Sequence, residues 1–171
     1  MKIGRRVTAA MAGVLAAPLI VVALPSGTAF AHGYINSPPS RQAQCASGTV
    51  ACGNIKYEPQ SVEGPKGLQS CHANLSQFSE LSNDSKGWRA TSTGRTVKFN
   101  WTFTARHKTR DYDYYVDGRK VANFDGKNQL PGSVVSHDVN VGKSGRVKVL
   151  AVWNIADTAM AFYSCVDLQV S

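Results

Sequence analysis

No block of lysine and arginine occurs anywhere in these 171 residues, no aromatics are interleaved with basic residues, and no Cys-x-x-Cys pair is present. The first two absences exclude a nucleic-acid footprint and leave a scattered, solvated basicity. The third removes a common zinc framework. Long amphipathic helical patterns are missing too, which argues against an alternation of strands and helices. Acids are few, eleven against nineteen lysines and arginines for a net charge of +8, and paired carboxylates flanking one bond cannot be inferred from their positions.

What is present begins with an export pattern. Lys2, Arg5 and Arg6 precede a run from Val7 to Leu24 that is apolar apart from Thr8; Pro25 and Gly27 break it, and Ala29-Phe30-Ala31 forms a small-x-small cleavage site. The run is marginal for spanning a bilayer and rich in alanine, so residues 1–31 are expected to be a secretion signal and not an anchor. Arg5-Arg6 hints at twin-arginine export and leaves the route open. Residues 32–171 then form one domain of a size that supports a real core. Removing the signal lowers the formal charge to +5, and the mature protein is expected to be extracellular, monomeric and free of membrane and nucleic acid.

Cleavage after Ala31 would make His32 the first residue. A terminal histidine offers its α-amino nitrogen and its ring Nδ1 to one metal ion, which no internal histidine can do. All four cysteines, Cys45, Cys52, Cys71 and Cys165, lie beyond the cut, and an even count in an exported chain argues for two disulfides. Three pairings are possible. The favoured one joins Cys45 to Cys52 in a local loop and Cys71 to Cys165.

From Gly33 to about Trp88 the chain is irregular, with one short helix expected where Leu75, Phe78 and Leu81 recur at helical spacing. From Thr96 the pattern changes to period two. Val97, Phe99, Trp101 and Phe103 alternate with polar residues; Tyr112, Tyr114 and Val116 lead into the hairpin signal Asp117-Gly118, with Lys120 to Phe124 returning. Val135 to Val141, Val147 to Trp153 and Phe162 to Val170 complete five or six antiparallel strands. The fold class expected is all-β, an immunoglobulin/fibronectin III-like β-sandwich with a long loop and short-helix insertion before the main strands. Function should then sit on loops at one end, and the insertion is the obvious decoration to carry it.

A metal held by His32 needs a further ligand, and nitrogen donors with open positions suit Cu(II). His137 is in phase with a core row and reads first as a structural strand histidine. His72 adjoins Cys71 in a loop. His107 follows a strand end in Ala105-Arg106-His107-Lys108-Thr109-Arg110, a position typical of site residues, with Arg106, Lys108 and Arg110 as rim charges.

Four ordered blocks then carry a resemblance. His32-Gly33-Tyr34-Ile35, the stretch Tyr57-Glu58-Pro59-Gln60-Ser61-Val62-Glu63-Gly64, Thr104-Ala105-Arg106-His107, and the run from Ala151 to Tyr163 together resemble the bacterial lytic polysaccharide monooxygenases of auxiliary activity family ten, once called chitin-binding proteins. The resemblance implies one copper ion per chain, held by His32 and His107 in a histidine brace. It implies Phe162 on the axial side, Ala105 as the small residue beside it, and Glu63 as the acid near the metal that positions an oxygen species or accepts a proton. On the residues alone, Phe162 would read as plain core. Tyr57, Glu58, Gln60 and Asp157 are implied at the flat face that meets polysaccharide, with Asp157 and Thr158 near that face or supporting the copper loop. Met160 and Asn154 depart from the family pattern, as the places where fine substrate contacts would differ.

The implied activity is oxidative cleavage of crystalline chitin, or of cellulose, with oxidation expected at carbon 1 and with an external electron donor and dioxygen or hydrogen peroxide as partners. Three rivals remain open on the residues: a hydrolase using Glu58 and Glu63, a non-catalytic chitin-binding protein, and an extracellular copper-binding protein.

Overall fold

The computed structural model describes residues 31–171. The expected secretion signal, apart from Ala31, lies outside the described residues. The nine strands are β1 (His32–Ser37), β2 (Glu63–Pro65), β3 (Thr91–Thr93), β4 (Thr96–Ala105), β5 (Thr109–Val116), β6 (Arg119–Gln129), β7 (Val134–Asn140), β8 (Gly145–Ile155) and β9 (Met160–Val170). They form two sheets, one in the order β1-β4-β7 and one in the order β2-β9-β8-β5-β6, with β3 added parallel to β9. The expected sandwich is therefore present, with one parallel pair where only antiparallel ones were expected.

Alternation explains the main core. Val97, Phe99, Trp101 and Phe103 point from β4 into the space between the sheets, where they meet Tyr112 and Tyr114 of β5, Trp153 of β8 and Phe162, Val166 and Leu168 of β9. The hairpin falls where Asp117-Gly118 placed it, both residues in the left-handed region that a two-residue turn requires. Strand β8 is buried on both faces, which is why Val147 to Trp153 reads as a nearly continuous apolar run.

The second face of β8 explains the irregular segment. Ile55, Phe78, Leu81 and Trp88 pack with Leu150, Val152 and Tyr163 in a second core on the outer side of the larger sheet. The insertion is thus a packed layer and not decoration. Arg41, buried in the short helix α1 (Arg41–Ala46), ties it down: its guanidinium donates to both Asp167 oxygens at 2.8 and 3.0 Å, to Asp84 and to the Leu81 carbonyl. Disulfide Cys71–Cys165 fastens the layer to β9, and Cys45–Cys52 closes a loop within it. In the chain-entropy account, the longer loop contributes roughly 4 to 5 kcal/mol.

Two local expectations need correction. Gly33 to Ser37 is strand, paired with β4, because Ile35 fills the sandwich core. The helix expected around Leu75 is a 3-10 segment, Ser76–Ser82, broken at Phe78, whose backbone leaves helical values as its ring enters the second core.

Candidate functional site

Sheet register places the candidate residues. His32 opens β1 opposite Ala105, the last residue of β4, so the turn Arg106-His107 emerges beside it. Glu63 opens β2 opposite Phe162 of β9. The Gly33 amide donates to the Gln60 carbonyl at 3.2 Å, which binds the start of β1 to the segment after Tyr57. Four stretches far apart in sequence thereby converge at one end of the sandwich.

Phe162 is fully buried, its ring 6.4 Å from that of His32 in an edge-on arrangement and 5.0 Å from Trp153. It is core and neighbour of His32 at once. From Trp153 the support continues outward, the indole Nε1 donating to Thr109 Oγ1 at 2.7 Å and the Thr109 hydroxyl donating to the His107 carbonyl at 3.3 Å. The loop bearing His107 therefore rests on the aromatic core and not on solvent.

Glu63 is half-buried, and one of its oxygens is fully buried with no hydrogen-bond partner. Burial pushes its carboxyl above the usual range, while the charge of nearby His107 pulls the other way. Gly64 fixes the approach: a Cβ there would stand 2.8 Å from the Ala73 carbonyl oxygen, so only glycine lets β2 seat Glu63 in this place.

His107 Nε2 lies 2.7 Å from Asp157 Oδ1, a contact in which the ring carries the proton. The hydrogen bond from His107 holds the Asp157 carboxyl below its ordinary value. Asp157 is exposed, but its carboxylate is engaged by His107 instead of being free on the face. The loop around it is held by a residue that no motif singles out: Lys66 donates from Nζ to the Thr158 carbonyl and from its amide to the Ala159 carbonyl. The Lys66–Thr158 pair is separated by 92 residues, and no spacing signals it.

Tyr57 is 76% exposed, and the Lys56 ammonium stands 4.6 Å over its ring. Glu58 and Gln60 are half-buried next to it, and Arg106, Lys108 and Arg110 are exposed at the rim as expected. Asn154 is not on this face. It is buried, and its amide donates to Asp111 and Asp113 at 2.6 and 3.2 Å, so its departure from the family pattern does not alter a surface contact. Met160 is half-buried at the start of β9.

The other two histidines lie elsewhere. His137 is packed among Tyr112, Tyr114 and Phe124. His72 bonds Ser70 and Ser82 through Nδ1.

Among the described residues, no group of three or more His, Cys, Asp and Glu side chains could hold a metal. The donor set at His32 and His107 is two imidazoles, and a free α-amino group on His32 would make it three nitrogens. Such a set fits a borderline cation. The unpaired Glu63 oxygen, beside His107, adds a polar atom with no protein partner to serve.

Comparison with known proteins gives this arrangement its setting. The family profile described as "Lytic polysaccharide mono-oxygenase, cellulose-degrading" matches residues 32–168, starting at His32. The chain is 56% identical over 171 residues to a lytic chitin monooxygenase of Streptomyces ambofaciens, covering 99% of both. Some other relatives are longer, and the chain spans 52% of one and 40% of another. Among solved structures, it resembles a Jonesia denitrificans lytic polysaccharide monooxygenase with a TM-score of 0.79 and 44% identity, over 82% of this chain and 100% of that one. It also resembles a Bacillus amyloliquefaciens CBM33 in complex with Cu(I), with a TM-score of 0.61 and 26% identity, over 82% and 100%. A profile match from His32 to residue 168 and an identity above one half along the full length leave one assignment: the chain belongs to the lytic polysaccharide monooxygenases.

Proposed function

We propose that this chain is a secreted, copper-dependent monooxygenase that cleaves crystalline chitin oxidatively at carbon 1, competent once export has freed His32. The observation that carries the reading is the convergence of His32, His107, Glu63 and Phe162 at one end of the sandwich, next to the exposed ring of Tyr57. The family match that begins at His32 supports cleavage at that point.

In this reading, the α-amino group and ring of His32 and the ring of His107 hold the ion. An ion held there and reduced by an external donor would supply the oxygen-activating chemistry needed to hydroxylate a carbon of the glycosidic bond. Phe162 closes one side of the site with an apolar ring, and Ala105 keeps the neighbouring approach open. Glu63, held protonated more readily than an exposed acid, can give or take a proton at its unpaired oxygen. Asp157, which bonds His107 Nε2, would have to release that nitrogen for it to serve as the ligand. Tyr57 stacks on the apolar face of a sugar, while Glu58 and Gln60 bond hydroxyl and acetamido groups.

Chitin is favoured over cellulose because the relative named for chitin is 56% identical over the full length, although the family profile is described by cellulose. The test is mass spectrometry of soluble products from chitin and from cellulose, with copper-loaded protein beginning at His32, ascorbate and oxygen. Aldonic-acid oligosaccharides from chitin are the expected result. Unoxidised oligosaccharides formed without reductant would point to a hydrolase. Chitin binding with no products would leave a binding protein, and copper binding without chitin affinity a copper carrier. Adding one residue before His32 should leave the fold intact and abolish the products, and normal activity there would overturn the role of the terminal amine.

A further inference from the structure

Where the packed insertion meets strand β5, the outer face of the larger sheet carries an open pocket of about 280 Å³. Lys66 and Leu68, just past β2, stand on one side; Arg110 and Tyr115 of β5 and Lys120 of β6 stand on the other, and Val152 of β8 lies between. The pocket flanks the candidate copper site, because Lys66 holds the turn after Asp157 through the Thr158 carbonyl and Arg110 follows His107 at the start of β5. Its size is just below the ~300–1,000 Å³ of sites for drug-sized ligands and suits one small molecule.

Charge in the pocket is unbalanced. Three cations line it against one carboxylate, Asp113. That carboxylate is only 4% exposed and both of its oxygens are taken. Oδ1 accepts from Lys120 Nζ and from the Asn123 amide, each at 2.8 Å, and Oδ2 accepts from the Tyr115 hydroxyl at 3.1 Å and the Asn154 amide at 3.2 Å. Lys120 is thereby neutralised, and Arg110 has its own counter-ion in Asp111 at 2.9 Å.

Lys66 is the charge left over. Its ammonium donates to the neutral Thr158 carbonyl at 2.6 Å instead of to a carboxylate. Burial and the charge of Arg110 push its pKa down, by more than Asp111 and Asp157 restore it. One surplus positive charge favours a monoanion. The N–H groups that Lys66, Arg110 and Lys120 do not spend on protein partners give the pocket an excess of donors, which calls for a ligand with several oxygen acceptors. Leu68, Val152 and Tyr115 offer a small apolar surface, enough for the C–H face of a polyol.

We propose that this pocket binds a small polyhydroxylated organic monoanion, its charged oxygens on Lys66 and Arg110 and its hydroxyl oxygens on the remaining N–H groups. Two sources share that chemistry: an anionic enediol serving as the external electron donor, and the aldonic-acid end that oxidation at carbon 1 would leave. The choice between them rests on the proposed function, whereas the site itself does not.

Ascorbate and gluconate are the probes, each titrated by calorimetry into protein beginning at His32, with no metal added and air excluded, while the amide resonances of Gly67 and Leu68 locate the binding. Saturable binding of at least one is expected, with glucose, which has the hydroxyls without the charge, at least about tenfold weaker. Lys66→Met should weaken the anion by roughly five- to tenfold and Lys66→Arg should recover most of the loss. Arg110→Gln, which leaves the Thr158 contact alone, should weaken it roughly threefold, since this side chain is half exposed. Tighter binding of ascorbate assigns the pocket to the donor, and tighter binding of gluconate assigns it to the product. The proposal is overturned if neither anion binds saturably, if glucose binds as tightly, or if Lys66→Met and Arg110→Gln both bind as the parent does. Because binding is read without metal, such a failure is distinct from a failure to form oxidised products from chitin.

Discussion

His107 and His137 sit on the same sandwich and face opposite fates. His107 is carried by a three-residue loop between β4 and β5, its ring partly exposed and its nitrogen against a carboxylate. His137 lies within β7, walled by Tyr112, Tyr114 and Phe124, with Nδ1 used by a buried tyrosine. The first keeps a nitrogen that can be exchanged from one partner to another. The second has spent its nitrogen on holding the core together. Position on a loop or within a strand, and not the residue type, decides which histidine is available for chemistry.

Replacing each in turn is the most severe test of that contrast. His107→Ala should lower oxidised product from chitin by at least about a hundredfold and greatly weaken copper binding, since even the residues that merely orient a metal ligand are worth about 10–100-fold. His137→Ala should leave copper affinity as it was but cost about 2–4 kcal/mol of stability, from the lost stacking on Phe124 and the unpaired Tyr114 hydroxyl. Copper titration and thermal unfolding of the two variants read both effects. Loss of copper in the His137 variant would reverse the assignment.

The contrast was legible in the sequence to different depths. The alternation around His137 placed it in a core row because a strand writes its facing pattern locally, one residue in two. For His107 the loop position was visible, but its support was not. The path from Phe162 through Trp153 and Thr109 to the His107 carbonyl crosses three strands, and each link is a side-chain contact between residues with no fixed spacing. The same limit hid the packed layer from Arg41 to Trp88. Its apolar residues face the outer side of β8 singly, so no period appears until the sheet supplies the other half of the core. The terminal role proposed for His32 came from a cleavage pattern that is local in the sequence, whereas its neighbours Glu63 and Phe162 were reached through the family resemblance.

A change of pH sharpens the same comparison with a smaller effect. The unfolded chain binds a proton at His137 near pH 6.5, and the folded chain only near pH 4. Above pH 6.5 both forms are neutral and the residue contributes nothing to pH dependence. As pH falls from 6.5 to 4, only the unfolded state takes up the proton, so stability declines across that window, by roughly 2 kcal/mol once partial exposure is discounted. Denaturant unfolding at pH 7.5 and pH 4.5 should therefore show a smaller acid loss in His137→Gln than in the parent. Equal losses would mean that the ring is already protonated in the fold.

The smallest effect is expected at the partner of His107. The contact with Asp157 stabilises a protonated ring nitrogen, and copper requires that nitrogen bare, so the carboxylate competes with the metal. Because Asp157 is exposed, the pair is worth no more than about 1 kcal/mol, which corresponds to a factor of roughly two to five. Asp157→Ala should accordingly tighten copper binding by that factor in a calorimetric titration at one fixed pH, if His107 is the ligand proposed. A fall in copper affinity would instead make Asp157 a support that orients the ring, and the exchangeable nitrogen of His107 would then be less free than its loop position suggests.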